Sequence, residues 1–325
     1  MPHALRRISI AIVSLLALSA PSLGQNYPDR VVRVVNPFPP GGSVDITARI
    51  LAQKLSEITG QQFIVENRAG AGGNTGSDAV AKSEPDGYTL LFTAPGPISI
   101  NQTLFSKGIP FDPEKDFAPI AIFARTPIVL MVHPSVPAKN VQELMAHAKT
   151  NPGKVHFASA GMGSTPHLAG ELFKSMAKVE IVHVPYRGTG PAMNDLIGGH
   201  VQMFFDLLPS SLPQISAGKV RGLANAGLKR AAALPDLPTV AEQGLQGFDA
   251  SSWFVLVAPS KTPAPVLAKL RADVAKAIAA PEIVKKLHEL GSEPGTADEK
   301  EVRGFIASET KKWGEVIRVS GATAD

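Results

Sequence analysis

Cysteine is missing from all 325 positions. That excludes disulfides, a thiolate nucleophile, a Cys-ligated metal and a lipid-modified cysteine anchor, and it leaves stability to the packed core. Aromatic residues make up only 6% of the chain, and its Lys and Arg are scattered. A nucleic-acid binder needs a clustered basic face, often with stacking aromatics, so nucleic acid is not an expected partner. Beyond the first two dozen residues no run is apolar enough to cross a bilayer. Recognisable chemistry motifs are missing as well. Lys219 follows Gly218 without P-loop spacing, and neither Gly70-Ala71-Gly72 nor Gly161-Met162-Gly163 completes a dinucleotide fingerprint. No G-x-S-x-G elbow occurs. His133, His156, His167, His183 and His200 lack a second ligand at metal-site spacing, so neither a metal nor a cofactor is expected.

What is present begins with a leader. Arg6 and Arg7 precede an apolar stretch at residues 8–18, and Ser22-Leu23-Gly24 offers small residues for cleavage. The stretch is too short to span a membrane, so residues 1–24 are read as a cleaved signal peptide and the product as a free, soluble periplasmic protein. The Arg pair fits the ordinary secretory route better than twin-Arg export. Without the leader, 30 Lys and Arg face 28 Asp and Glu, a near-neutral net charge of +2. The chain is 44% hydrophobic, and its length suffices for two α/β domains with separate cores. Its 29 Gly and 28 Pro are spread out as turn punctuation.

Two segments carry the most information. Residues 34–58 and 155–176 each read as a short apolar strand, a Gly-rich turn and a helix start. Such a turn aims free backbone N–H groups at its contents, and with the helix dipole it binds an anion without any basic side chain. One such turn in each half of the chain suggests a cleft that grips an acidic small molecule from both sides. The rest of the chain alternates strands and helices, which predicts mostly parallel sheets flanked by helices. Residues 120–132 and 252–258 are apolar and extended, and they read as two hinge crossings between the domains. The first domain is assigned residues 25–124 and 253–325, the second residues 125–252. Val302, Phe305, Trp313 and Ile317 form an inward stripe on a C-terminal helix.

Within the turns, Gly41-Gly42-Ser43 and Gly163-Ser164-Thr165 are the leading binding candidates, with Thr165 expected to cap a helix that starts at Pro166. Each also suits an ordinary structural turn, and it is their pairing that favours a ligand. His167, in the first turn of the second helix, can donate to a ligand or fix the loop. Asp45 can complement the dipole or orient the ligand. Asp206, at a strand's end, can face the cleft or start a turn, and Tyr186 can offer a hydroxyl or a ring wall or be an ordinary half-buried tyrosine. Phe38 can pack on an aliphatic or aromatic ligand.

The ordered motifs resemble a family. They are Pro39-Pro40-Gly41-Gly42 with Asp45 and Arg49; residues 66–73 (ENRAGAGG); residues 85–90 (PDGYTL); Gly163-Ser164 with His167-Leu168-Ala169; residues 183–188 (HVPYRG); Gly198-Gly199-His200-Val201; residues 234–239 (LPDLPT); and Trp253 ahead of Ala258-Pro259. Each is weak alone, but together they cover nearly all of the chain after the leader. The chain resembles the Bug-type solute-binding receptors of tripartite tricarboxylate transporters. That resemblance implies a two-lobed, type II-like Venus-flytrap receptor that acts as a monomer and delivers a small carboxylate to membrane permease subunits. It implies no catalysis. It further implies a carboxylate held by backbone amides and waters of both loops, nominating Gly41, Gly42, Ser43, Ser159, Ala160, Gly163, Ser164 and Thr165. Thr93 and Ala94 would form a side wall, and Tyr186, Gly188 and Asp206 would close the pocket. Two other readings stay open: a ligand sensor feeding a membrane kinase, and an exported α/β hydrolase using Ser164 and His167.

Overall fold

The computed structural model describes residues 27–324, so the leader and its cleavage positions lie outside the described residues. Among them no helix is long and apolar enough to cross a membrane.

Two mixed sheets organise the chain. The first has the order β11-β4-β10-β3-β1-β2 and the second β7-β6-β8-β5-β9. In the first, β1 (Val32–Asn36) lies between β3 (Thr89–Thr93) and the edge strand β2 (Phe63–Asn67), parallel to both. Between these strands run α1 (Ser43–Thr59) and α2 (Asn74–Ala81) as crossovers. In α1, Ala48, Leu51 and Leu55 bury one face, and Gly60 ends the helix at φ +73°, a left-handed conformation that glycine adopts without a Cβ clash. A π-helical turn at Gly96–Ile100 and the short α3 (Asn101–Leu104) follow β3.

The chain then crosses between sheets twice. β4 (Phe117–Thr126) lies in the first sheet and β5 (Ile128–Val132), one residue on, lies in the second. There α4 (Val141–Thr150), β6 (Val155–Ser159), α5 (Thr165–Ala177), β7 (Ile181–Pro185), α6 (Thr189–Ile197) and β8 (Met203–Leu207) follow in turn. After α7 (Leu208–Ser216) and β9 (Arg221–Asn225), β10 (Ser252–Pro259) returns to the first sheet. The chain closes with α8 (Ala264–Ala279), α9 (Pro281–Glu289), β11 (Glu293–Thr296) and α10 (Glu299–Ser320).

The sheets are less parallel than the sequence pattern predicts. Parallel pairs are confined to β1, β2, β3 and to β6, β7, β8, while β10 pairs antiparallel with both β3 and β4, and β5 with both β8 and β9. The antiparallel pairs are the ones that the crossing strands make. β4, β5 and β10 are buried along nearly their whole length, so both crossings are anchored by packing rather than by exposed linker.

Candidate ligand-binding site

The C-terminal ends of β1 and β6 face one another across a narrow cavity. Its lining comes from both halves: Phe38, Pro39, Gly42, Ser43, Val44, Ala94 and Gly96 on one side, Ala160, Ser164, Thr165, Pro166, Gly188, Thr189 and Leu207 on the other. No lining side chain is ionisable. Polar recognition therefore falls to hydroxyls and backbone amides.

The first helix start is uncapped. Gly42 occupies the N-cap without a side chain, and the first helical bond is donated by Ile46 N to Gly42 O at 3.0 Å. Among the described residues the N–H groups of Ser43 and Val44 have no protein acceptor, and both residues line the cavity. That leaves the positive end of a 17-residue helix open to an anion. Asp45 does not fill it. Its carboxylate accepts from Gly41 N at 2.9 Å, Arg49 Nη2 at 2.9 Å and Asn67 Nδ2 at 2.9 Å. Burial pushes its pKa up, but those donors outweigh it and hold the group below the usual carboxylate range. Asp45 thus shapes the turn from behind.

The second turn differs from its sequence reading. Ser164, not Thr165, is the N-cap: its Oγ accepts from His167 N at 3.3 Å and donates to Gly161 O at 2.6 Å. Pro166 consequently occupies the second helical position. With His167 N spent on Ser164 and no N–H on Pro166, the Thr165 N–H is the one in this first turn without an acceptor among the described residues.

His167 sits beneath the loop, 2% exposed. Its Nδ1 accepts from Gly163 N at 3.3 Å, and its ring stacks on His183 with centroids 4.2 Å apart. Burial, with the neighbouring His183 next, depresses the His167 pKa to about 3. Burial, then Lys174, depresses that of His183 to about 4. Both rings are therefore neutral at physiological pH. His183 Nε2 meets Ser159 Oγ at 2.7 Å, and Ser159 Oγ also accepts from Gly161 N at 3.1 Å. His167, His183 and Ser159 thus brace the loop from below.

Of the sequence-nominated residues, the fold brings Phe38, Gly42, Ser43, Ala94, Ala160, Ser164, Thr165 and Gly188 to the cavity wall. Gly41, Asp45, Thr93, Ser159, Gly163, His167 and Asp206 stand behind it. Thr93 is fully buried, with Oγ1 lacking a partner among the described residues. Tyr186 instead lines an adjoining outer chamber, shared with Arg187 and with Phe38, Pro39, Ala160 and Gly188. Its hydroxyl donates to Asp195 at 2.6 Å, and burial together with that bond pushes its pKa up to about 12. Sequence reasoning passed over Pro39, Val44, Pro166, Thr189 and Leu207 on the wall. It also passed over Ser210, whose backbone N–H and Oγ meet Ser43 Oγ across the cleft at 3.1 and 2.8 Å.

Known proteins share this architecture. The 316-residue match to the UPF0065 protein in the tcbD-tcbE intergenic region of Pseudomonas sp. (strain P51) is 40% identical, covering 96% of this chain and 94% of that one. Protein BugT of Bordetella pertussis (strain Tohama I / ATCC BAA-589 / NCTC 13251) is 37% identical over 95% of both chains. The structure described as R. palustris Rpa4515 with adipate superposes with a TM-score of 0.89 at 38% identity, over 91% of this chain and 99% of that one. MatC (Rpa3494) from Rhodopseudomonas palustris with bound malate gives a TM-score of 0.85 at 32% identity, over 90% and 100%. The family model of the tripartite tricarboxylate transporter family receptor matches residues 47–322. On fold and on sequence, this chain belongs to the receptors of the tripartite tricarboxylate transporter family.

Proposed function

We propose that the protein is a periplasmic receptor that captures a small organic carboxylate between its two lobes and delivers it to membrane permease subunits. The observation that carries this reading is the uncapped start of α1 at Gly42-Ser43-Val44, facing the Ser164-Thr165 turn across a cavity without an ionisable wall. Backbone amides of both turns would hold the carboxylate, and the apolar groups of Phe38, Pro39, Val44, Ala94 and Leu207 would pack on the rest of the molecule. The lobes would meet near residues 124–127 and 252, close to where the chain passes between the sheets. Relatives solved with adipate and malate, both dicarboxylates, support an acid as the ligand. Ligand binding would stabilise closure by its differential affinity for the closed arrangement.

A binding rather than a catalytic role is favoured at Ser164. Its hydroxyl is committed to the Gly161 carbonyl, and the His167 ring faces Gly163 N, so no imidazole activates the oxygen.

Thermal melting of the protein from residue 25, against organic acids and their matched amides, tests the reading. An acid at a thousand times its dissociation constant adds about 4 kcal/mol, which raises Tm by several degrees. The amide, lacking the charge, should leave Tm unchanged. Protein purified free of trapped ligand that responds to no acid would overturn the assignment.

A further inference from the structure

Asp206, next to last in β8, lies directly behind the cavity wall and is fully buried. Its Oδ2 accepts from Ser210 Oγ at 2.7 Å and from Ser211 Oγ at 3.0 Å, and its Oδ1 accepts from Thr189 Oγ1 at 3.2 Å. Each hydroxyl has one proton. Ser210 also lies 3.0 Å from the Leu207 carbonyl, but a carboxylate is the stronger acceptor and the shorter contact, so the Ser210 proton goes to Asp206. That fixes the next link. Ser43 Oγ and Ser210 Oγ are 2.8 Å apart and need one proton between them, and Ser43 must supply it. Ser43 also accepts from Ser210 N. The two hydroxyls that line the cavity here, Ser43 and Thr189, therefore both point their protons away from it and toward Asp206.

We infer that this corner of the cavity presents only oxygen lone pairs, and that it selects acids carrying a hydroxyl or amino donor over the same acids without one. Asp206 is then a specificity-determining residue that never touches the ligand: it sets the hydroxyl orientation that the ligand reads. The corner adjoins the anion site, since a Cβ on Gly42 would lie 3.9 Å from Thr189 Oγ1. The donor should accordingly sit near the held carboxylate. The burial that pushes the Asp206 pKa up to about 6 still leaves it ionised, and so acceptor-only, above pH 7.

This inference rests on the carboxylate-receptor reading, and one experiment separates the two. Calorimetric titrations at pH 7.5 compare succinate with malate, propionate with lactate, and adipate with aminoadipate, in the unaltered protein and in Asp206→Asn. The donor-bearing member of each pair that binds should be at least about tenfold tighter, the worth of one hydrogen bond in a dry site. In Asp206→Asn the new amide N–H groups donate to one set of hydroxyls and turn their protons outward, so the ratio should collapse toward one or reverse. A merely structural role for Asp206 would weaken both members alike and leave the ratio unmoved, which would overturn the inference. So would equal or tighter binding of the plain acids by the unaltered protein. Binding of no acid at all would instead refute the receptor reading. Should Asp206→Asn not fold, Thr189→Val removes one of the two oriented hydroxyls at constant shape, and a ratio unchanged there would count equally against the inference.

Discussion

His167 and His183 show how a side chain can serve a binding loop without reaching the ligand. The neutral His167 ring offers Nδ1 as acceptor to Gly163 N, which a protonated ring cannot do. Both histidines are depressed well below the usual 6.5, so the unfolded chain takes up protons that the folded one refuses. Their contribution is complete above pH 6.5 and is lost as pH falls toward 4. Asp206 acts with the opposite sign. Its folded pKa of about 6 lies above the unfolded value, so its penalty is relieved over the same fall. Glu171, raised by burial against the pull of Lys174, shares that sign. Two histidines outweigh the carboxyls, and the net loss between pH 7 and 5 is expected to be on the order of 2 kcal/mol. Urea denaturation across that range measures it. The loss should be smaller in His183→Phe, which keeps the ring stacked between Phe157 and His167, and larger in Asp206→Asn. An unaltered slope in both variants would remove these residues as the cause.

At the scale of elements, the last helix is tied to the sheet by a buried carboxylate. Glu309 on α10 accepts from the indole N–H of Trp253 on β10 at 2.9 Å and from that of Trp313 at 3.2 Å, with Lys312 Nζ at 2.7 Å. Glu309→Ala strands two buried indole donors and should cost about 2–4 kcal/mol by urea denaturation. Glu309→Gln keeps one acceptor and should cost less. Acid binding per folded molecule should hold in both, because α10 contributes nothing to the cavity wall. The stripe that packs this helix was readable from its spacing, and so were α1 and the crossings at β4 and β10, because long periodic or uniformly apolar runs report burial directly. α7 was not. Pro209 and Pro213 make residues 207–213 look like a loop, yet Pro209 falls in the first turn, where its missing N–H costs little, and the helix carries Pro213 inside it. Missing α7 meant missing Ser210, and with it the link from Asp206 to Ser43. Asp206 itself was legible as a strand end that could close the pocket, but not as the carboxylate behind the wall, since nothing in a linear sequence shows which hydroxyls converge on a carboxylate. The cap at Ser164 was misread by one residue because Ser164 and Thr165 are both good caps, and the choice between them rests on where His167 N points.

For the whole molecule, three glycines stand where the two halves approach most closely. A Cβ on Gly72 would stand 2.3 Å from Met162 O, one on Gly96 2.8 Å from Gly163 O, and one on Gly188 2.8 Å from Pro39 Cγ. In each case the obstructing atom belongs to the opposite side of the cleft. Gly72 and Gly188 also have positive φ, so replacing them strains the loop as well. Gly96 does not, which makes it the cleaner probe of closure. Within its own turn, Gly96→Ala should be neutral or slightly stabilising, because it reduces the freedom of the unfolded chain. Against the second lobe it forces backbone apart, an overpacking cost of about 1–3 kcal/mol that arises only when the halves meet. The two effects therefore separate. The ligand-free Tm should hold or rise, while affinity for whichever acid binds should fall by roughly five- to 150-fold. Small-angle scattering at saturating ligand should show less contraction than in the unaltered protein. A parallel loss of ligand-free stability and affinity would mean that Gly96 matters to the fold of its own lobe and not to closure.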